Sequence, residues 1–218
     1  MLRILGVLCV SSLLSLLLLG LRMAVAENTW FSFLIWNLFL AWLPLLFALG
    51  LQLNAKKQKW LSWQNIVLSI FWLSFLPNSF YLMSDLMHIH SSPESFVLYD
   101  AAMILSFVCN GMILGYISTY IVHVQLLKRL SKLQTAGILS LVFLACGFAI
   151  YLGRYLRWNT WDILFNPAGL LFDLSERFLN PLAHAQTYWV TFVYALLIGT
   201  TYAVIYELIK ALSAAKKD

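Results

Sequence analysis

The sequence predicts an all-α polytopic membrane protein, a single bundle of about six transmembrane helices. Both termini are expected in the cytoplasm, with two interfacial helical segments on the outer side. Three observations carry this. Six apolar stretches run 4–25, 30–53, 61–76, 96–122, 136–152 and 188–208. About 20 apolar residues suffice to cross hydrocarbon, where only a helix satisfies its own backbone polar groups. The composition is 62% hydrophobic and 11% charged, against about 45–50% and 25% in soluble domains, and mean hydropathy is +0.83. Finally, the charges sort by sign onto alternate loops. So little chain lies outside the spans that 1–218 reads as one integral membrane domain.

The first stretch, 4–25, begins after a basic residue and ends in AVA, as a cleavable signal peptide does. Its apolar run exceeds the usual ~7–15 residues of such signals, and Arg22 precedes the AVA, so it reads as a genuine helix. Arg3 precedes this span; Lys56, Lys57 and Lys59 follow the second; Lys128, Arg129 and Lys132 follow the fourth; Lys210, Lys216 and Lys217 follow the sixth. These are ten of the fourteen basic residues, and they mark the cytoplasmic side. Seven of the nine acids lie on the other loops: Glu27, Asp85, Glu94, Asp100, Asp162, Asp173 and Glu176.

The third span meets Pro77, which should end or kink it, with Asn78 or Ser79 capping a new short helix. There Tyr81, Asp85 and His88 are spaced i, i+4, i+7 and would share one face. Asp85 and His88 could together ligate a divalent cation, but a zinc centre wants three or four ligands. Asp100, Asp162 or Glu94 would have to supply the rest. The competing reading is that Asp85 and His88 cap helices or pair with arginines.

After the fifth span, Arg154, Trp158 and Asp162 are spaced i, i+4, i+8, with Arg157, Asn159 and Trp161 interleaved. If the helix continued outward, one face would alternate cation, aromatic and carboxylate. Arginine suits carboxylate or phosphate, and tryptophan suits sugar faces and lipid boundaries. An aromatic belt with snorkelling arginines accounts for the same residues without a ligand. Next, Asn166-Pro167 reads as the cap and first turn of an amphipathic helix through Leu179, lying on the outer leaflet.

Inside the spans, Asn110 sits beside Gly111 and Gly115, a GxxxG spacing for close packing and a candidate face for a homo-oligomer or membrane partner. There is no ladder of intramembrane acids, which argues against a proton relay. Cys9, Cys109 and Cys146 fall in spans without CxxC spacing, so they read as small apolar residues. No nucleotide-loop, zincin, EF-hand or nucleophile-elbow motif occurs. No basic stripe suited to nucleic acid lies outside the membrane, and lipids are the expected partners.

The LPN…Tyr81…Asp85-Leu-x-His88 stretch, Tyr99-Asp100 and the Arg154…Arg157-Trp158-Asn159…Trp161-Asp162 stretch resemble domain-of-unknown-function family 1361. The likeness covers most of the chain from the second span onward, with Ser84 where threonine is expected. It implies a bacterial plasma (inner) membrane protein and brings no established activity or cofactor. From the residues themselves, the leading expectation is that both outer segments converge into one pocket for a headgroup, glycan or cation. Its members would be Tyr81, Asp85, His88, Asp100, Arg154, Arg157, Trp158, Asn159, Trp161 and Asp162. The alternatives are a membrane-embedded, metal-assisted enzyme on a lipid-linked substrate, a small transporter, and an accessory scaffold.

Overall fold

A computed structural model describes residues 2–56, 59–159 and 161–215, so Lys57, Lys216 and Lys217 lie outside the described residues. The described residues form helices and loops with no strand. The helices are α1 (Leu2–Ala26), α2 (Phe33–Asn54), α3 (Trp63–Tyr81), α4 (Val97–Leu127), α5 (Lys132–Tyr155), α6 (Asp162–Phe165), α7 (Pro167–Leu179) and α8 (Ala185–Ala215). Six of them, all but α6 and α7, are long and apolar enough to cross a membrane. The chain divides into two compact units, Met1–Val122 and His123–Asp218. In each unit the helix ends away from the lysine-bearing loops form a lysine-poor end. These are the C-termini of α1, α3 and α5 and the N-termini of α2, α4 and α8.

In the first unit, α1 buries a narrow seam: Leu8, Ser12, Ser15, Leu19 and Arg22. The 4–3–4–3 spacing keeps one stripe inward and leaves the rest of the helix to lipid. Hydroxyls and indoles along the seam find partners, as polar groups in hydrocarbon must. Trp42 Nε1 donates to Ser12 Oγ (3.1 Å), Asn110 Nδ2 to Ser15 Oγ (2.9 Å) and the Tyr99 hydroxyl to the Leu18 carbonyl (2.7 Å).

Pro77 does not end the third helix. The α-helix runs through it to Tyr81 and then tightens into a 3-10 segment, Leu82–Ser91. Asn78 and Ser79 lie inside the helix and do not start a new one: Asn78 Nδ2 donates to the Phe75 carbonyl (3.1 Å) and Ser79 Oγ to the Ala41 carbonyl on α2 (2.9 Å).

The GxxxG pair packs within the chain. A methyl on Gly111 would overlap the Ser79 carbonyl oxygen, and one on Gly115 would come within 2.8 Å of the Phe80 ring. The end of α3 therefore occupies the face that the sequence offered to a second copy.

In the second unit, Ser131 and Gln134 form a reciprocal capping box at the start of α5. Helices α5 and α8 meet backbone to backbone at Gly147, where an added methyl would strike the Thr191 carbonyl and the Ala195 nitrogen. At the end of α4, His123 Nδ1 and the Tyr202 hydroxyl on α8 lie 2.7 Å apart.

Candidate functional site

At the lysine-poor end of the first unit, the candidate groups turn inward. Asp100, at the start of α4, is fully buried and paired with Arg22 from the last turns of α1. Arg22 Nε donates to Asp100 Oδ1 (2.5 Å) and Nη2 to Oδ2 (3.0 Å). The guanidinium also lies over the Phe96 ring at 4.0 Å. Such a bidentate pair tolerates burial because planar fork meets planar carboxylate. Asp100 is therefore committed to Arg22. The sequence shows both charges at the ends of apolar runs, where an ionised group needs a partner, but it does not pair them.

The 3-10 segment sets Asp85 and His88 on one face, because side chains at i and i+3 eclipse there. Asp85 is buried and accepts a hydrogen bond from Asn37 Nδ2 (3.0 Å), while His88 lies against the Phe33 ring (4.9 Å between centroids). Tyr81 closes α3 one turn earlier, and its carbonyl accepts from Ser84 Oγ at 2.6 Å. Among the described residues, no cluster of three or more His, Cys, Asp or Glu side chains could hold a metal. Neither Asp100 nor Glu94 joins Asp85 and His88 in such a cluster.

The segment 153–186 departs from the continuous helix expected at its start. Helix α5 stops at Tyr155, and Arg157 takes a left-handed conformation (φ 59°) that turns the chain back. The Trp158 N–H then reaches the Leu152 carbonyl (3.2 Å) and satisfies an end-of-helix acceptor. Arg154, Trp158 and Asp162 consequently do not form one helical stripe. Arg154 closes α5, Trp158 Nε1 donates to Asp173 Oδ2 on α7 (2.7 Å), and Asp162 Oδ2 accepts the Asn159 N–H (2.6 Å) to shape the turn into α6. Trp161 precedes α6 and is half-buried. Thr160, between Asn159 and Trp161, lies outside the described residues.

Helix α7 begins where the sequence placed it, with the Gly169 N–H donating to Asn166 Oδ1 (3.1 Å). Its polar stripe faces the protein: Arg177 is buried and Asp173 half-buried, while Leu171, Phe172 and Phe178 are exposed. Arg177 Nη1 donates to the Asp173 carbonyl (2.6 Å) and lies 3.6 Å from Asp173 Oδ1. The Tyr188 hydroxyl on α8 donates to the Arg177 carbonyl (2.9 Å). Trp158, Asp173 and Arg177 thus form one chain of contacts from the α5 turn into the unit.

Residues 36–201 match the model of a family described as a protein of unknown function, DUF1361. The chain belongs to the DUF1361 family. No curated protein and no solved structure matches the chain. The DUF1361 match spans α2 through the first half of α8, so it includes the 3-10 segment and the whole of 153–186. Arg22 lies before it, whereas Arg157, Arg177, Thr187 and Thr191 lie inside.

Proposed function

We propose that this DUF1361 protein binds an anionic headgroup at the membrane boundary, at the lysine-poor end of its second unit. By the distribution of positive charge this is the extracytoplasmic side. One observation carries the reading: Arg157 is exposed, has no partner among the described residues, and holds a left-handed backbone that glycine would adopt at lower cost. Strain kept where a smaller residue would relieve it is a sign of use. Here the strain aims a guanidinium outward from a frame fixed by Trp158 and Asp173. Tryptophan at this depth suits the headgroup layer, and arginine suits phosphate. This narrows the pocket expected from the sequence to residues of one unit and to the headgroup among its ligands.

The test is Arg157→Gly in purified protein mixed with phosphatidylglycerol or phosphatidylcholine, with retained lipid counted by native mass spectrometry. A cation at a lipid surface contributes about 1 kcal/mol, so the preference for the acidic lipid should fall roughly fivefold. The fold should not suffer, because glycine relieves the left-handed turn; the melting temperature should hold or rise. An unchanged acidic preference would remove Arg157 from any binding role.

A further inference from the structure

Helix α1 ends on a motif that the headgroup site does not use. Ala24-Val25-Ala26 has the small-x-small pattern after which signal peptidases cut, and it follows an apolar run with a basic start. It lies at a lysine-poor helix end, by the distribution of positive charge the side on which such enzymes act. Ala24, Val25 and Glu27 are exposed, so a protease can approach the Ala26–Glu27 bond. The backbone there has the wrong shape for one. A peptide is taken into a cleft as an extended strand, bonded along its main chain. Here Ala26 closes the α-helix, its carbonyl accepts from Asn28 Nδ2 (3.3 Å), and Glu27 is left-handed (φ 50°). The last turn has to unwind before the bond can be cut.

Both flanks of the bond are pinned to one point. Arg22, one turn before Ala26, is buried against Asp100. Phe31, 3% exposed, has its ring centre 5.9 Å from the same guanidinium. Residues 23–30 therefore leave one spot and return to it. Six residues drawn out straight span about 20 Å, more than two pins sharing one guanidinium allow. Deeper in the membrane the same helix is held through Ser12, Ser15 and Leu18.

We propose that Ala26–Glu27 is a latent signal-peptidase site and that the Arg22–Asp100 pair guards it. While the pair holds, α1 stays as a membrane helix. When Asp100 does not hold Arg22, the peptidase adds water across the bond, leaving an Ala26 carboxylate and a Glu27 amine, and α1 is released. The cut spares residues 36–201, the part that matches the family. This guard belongs to the first unit and is independent of the headgroup reading.

The experiment incubates the purified full chain in detergent with a purified signal peptidase and reads the intact mass and the new N-terminus. Wild type should keep its mass. Asp100→Leu removes the partner of Arg22 and leaves residues 1–30 unchanged, so any gain in cutting comes from the undocked helix. Cutting follows the open population, so its rate should rise by at least about tenfold, with Glu27 at the new N-terminus. Adding Ala26→Leu, which takes away the small residue before the bond, should stop the cut. Thermal unfolding checks that Asp100→Leu is folded at the assay temperature. If it is not, Asp100→Asn, which keeps the shape and removes the charge, decides. Wild type cut as fast as the variant, a folded variant that stays whole, or cutting at another bond overturns the proposal.

Discussion

Arg22 and Arg157 are both arginines at helix ends, and their surroundings give them opposite roles. Arg22 is 3% exposed and spends its charge on Asp100, which is 0% exposed. Taking away one member strands the other in a desolvated site. Arg22→Met should therefore cost on the order of 3–5 kcal/mol, whereas Arg22→Met with Asp100→Leu should recover most of it. Thermal unfolding in detergent checks both, and equal stability of single and double variants would show that the pair holds nothing. Arg157 is the contrast, exposed and strained, so its removal should be felt in binding and spare the fold. From the sequence the two looked alike, because spacing gives the position of a charge and says nothing of its partner. Asp100 was legible as a charge at an outer helix end, but its partner lies 78 residues away.

The helices show where periodicity suffices and where it fails. The apolar runs located all six spans, because hydrocarbon imposes length and composition on each helix separately. The α7 cap and extent were legible for the same local reason. Which side of α7 faces inward was not: Arg177 is buried on the protein side, while Leu171, Phe172, Phe178 and Leu179 are exposed. Pro77 does not end its helix, which passes through it to Tyr81, with Ser79 bonding a carbonyl of α2. Glycine spacing pointed to close packing at Gly111 and Gly115, correctly, but not to α3 as the partner. Gly147 went unremarked because its requirement comes from α8, not from any motif. Gly147→Ala should lose about 1–3 kcal/mol, since Thr191 and Ala195 present backbone there and cannot rotate away. Gly137→Ala on the same helix meets open space and should be neutral or stabilising by up to about 1 kcal/mol. Melting of the two variants side by side checks the packing, and equal behaviour would refute it.

For the whole molecule, six membrane-length helices and the charge pattern make a joint statement about orientation. An even number of crossings returns the chain to its starting side. Arg3, the lysines after α2 and α4, and Lys210 all fall at ends that such a count puts on one side. Positive charge resists translocation, so that side should be the cytoplasm. The proposed headgroup site depends on this, because Arg157 and α7 would then face outward. Cysteine labelling decides it after Cys9, Cys109 and Cys146 are changed to alanine, the last being buried and the others in spans. Ser95→Cys and Asn180→Cys, both exposed at lysine-poor ends, should react with a membrane-impermeant maleimide in intact cells. Leu130→Cys, in the basic turn between α4 and α5, should react only once the membrane is opened. Labelling of Leu130→Cys from outside would invert the molecule and put the Arg157 end against cytoplasmic headgroups. Reaction of Ser95→Cys without Asn180→Cys would be incompatible with six crossings, because α4 and α5 separate those two positions by an even number of spans.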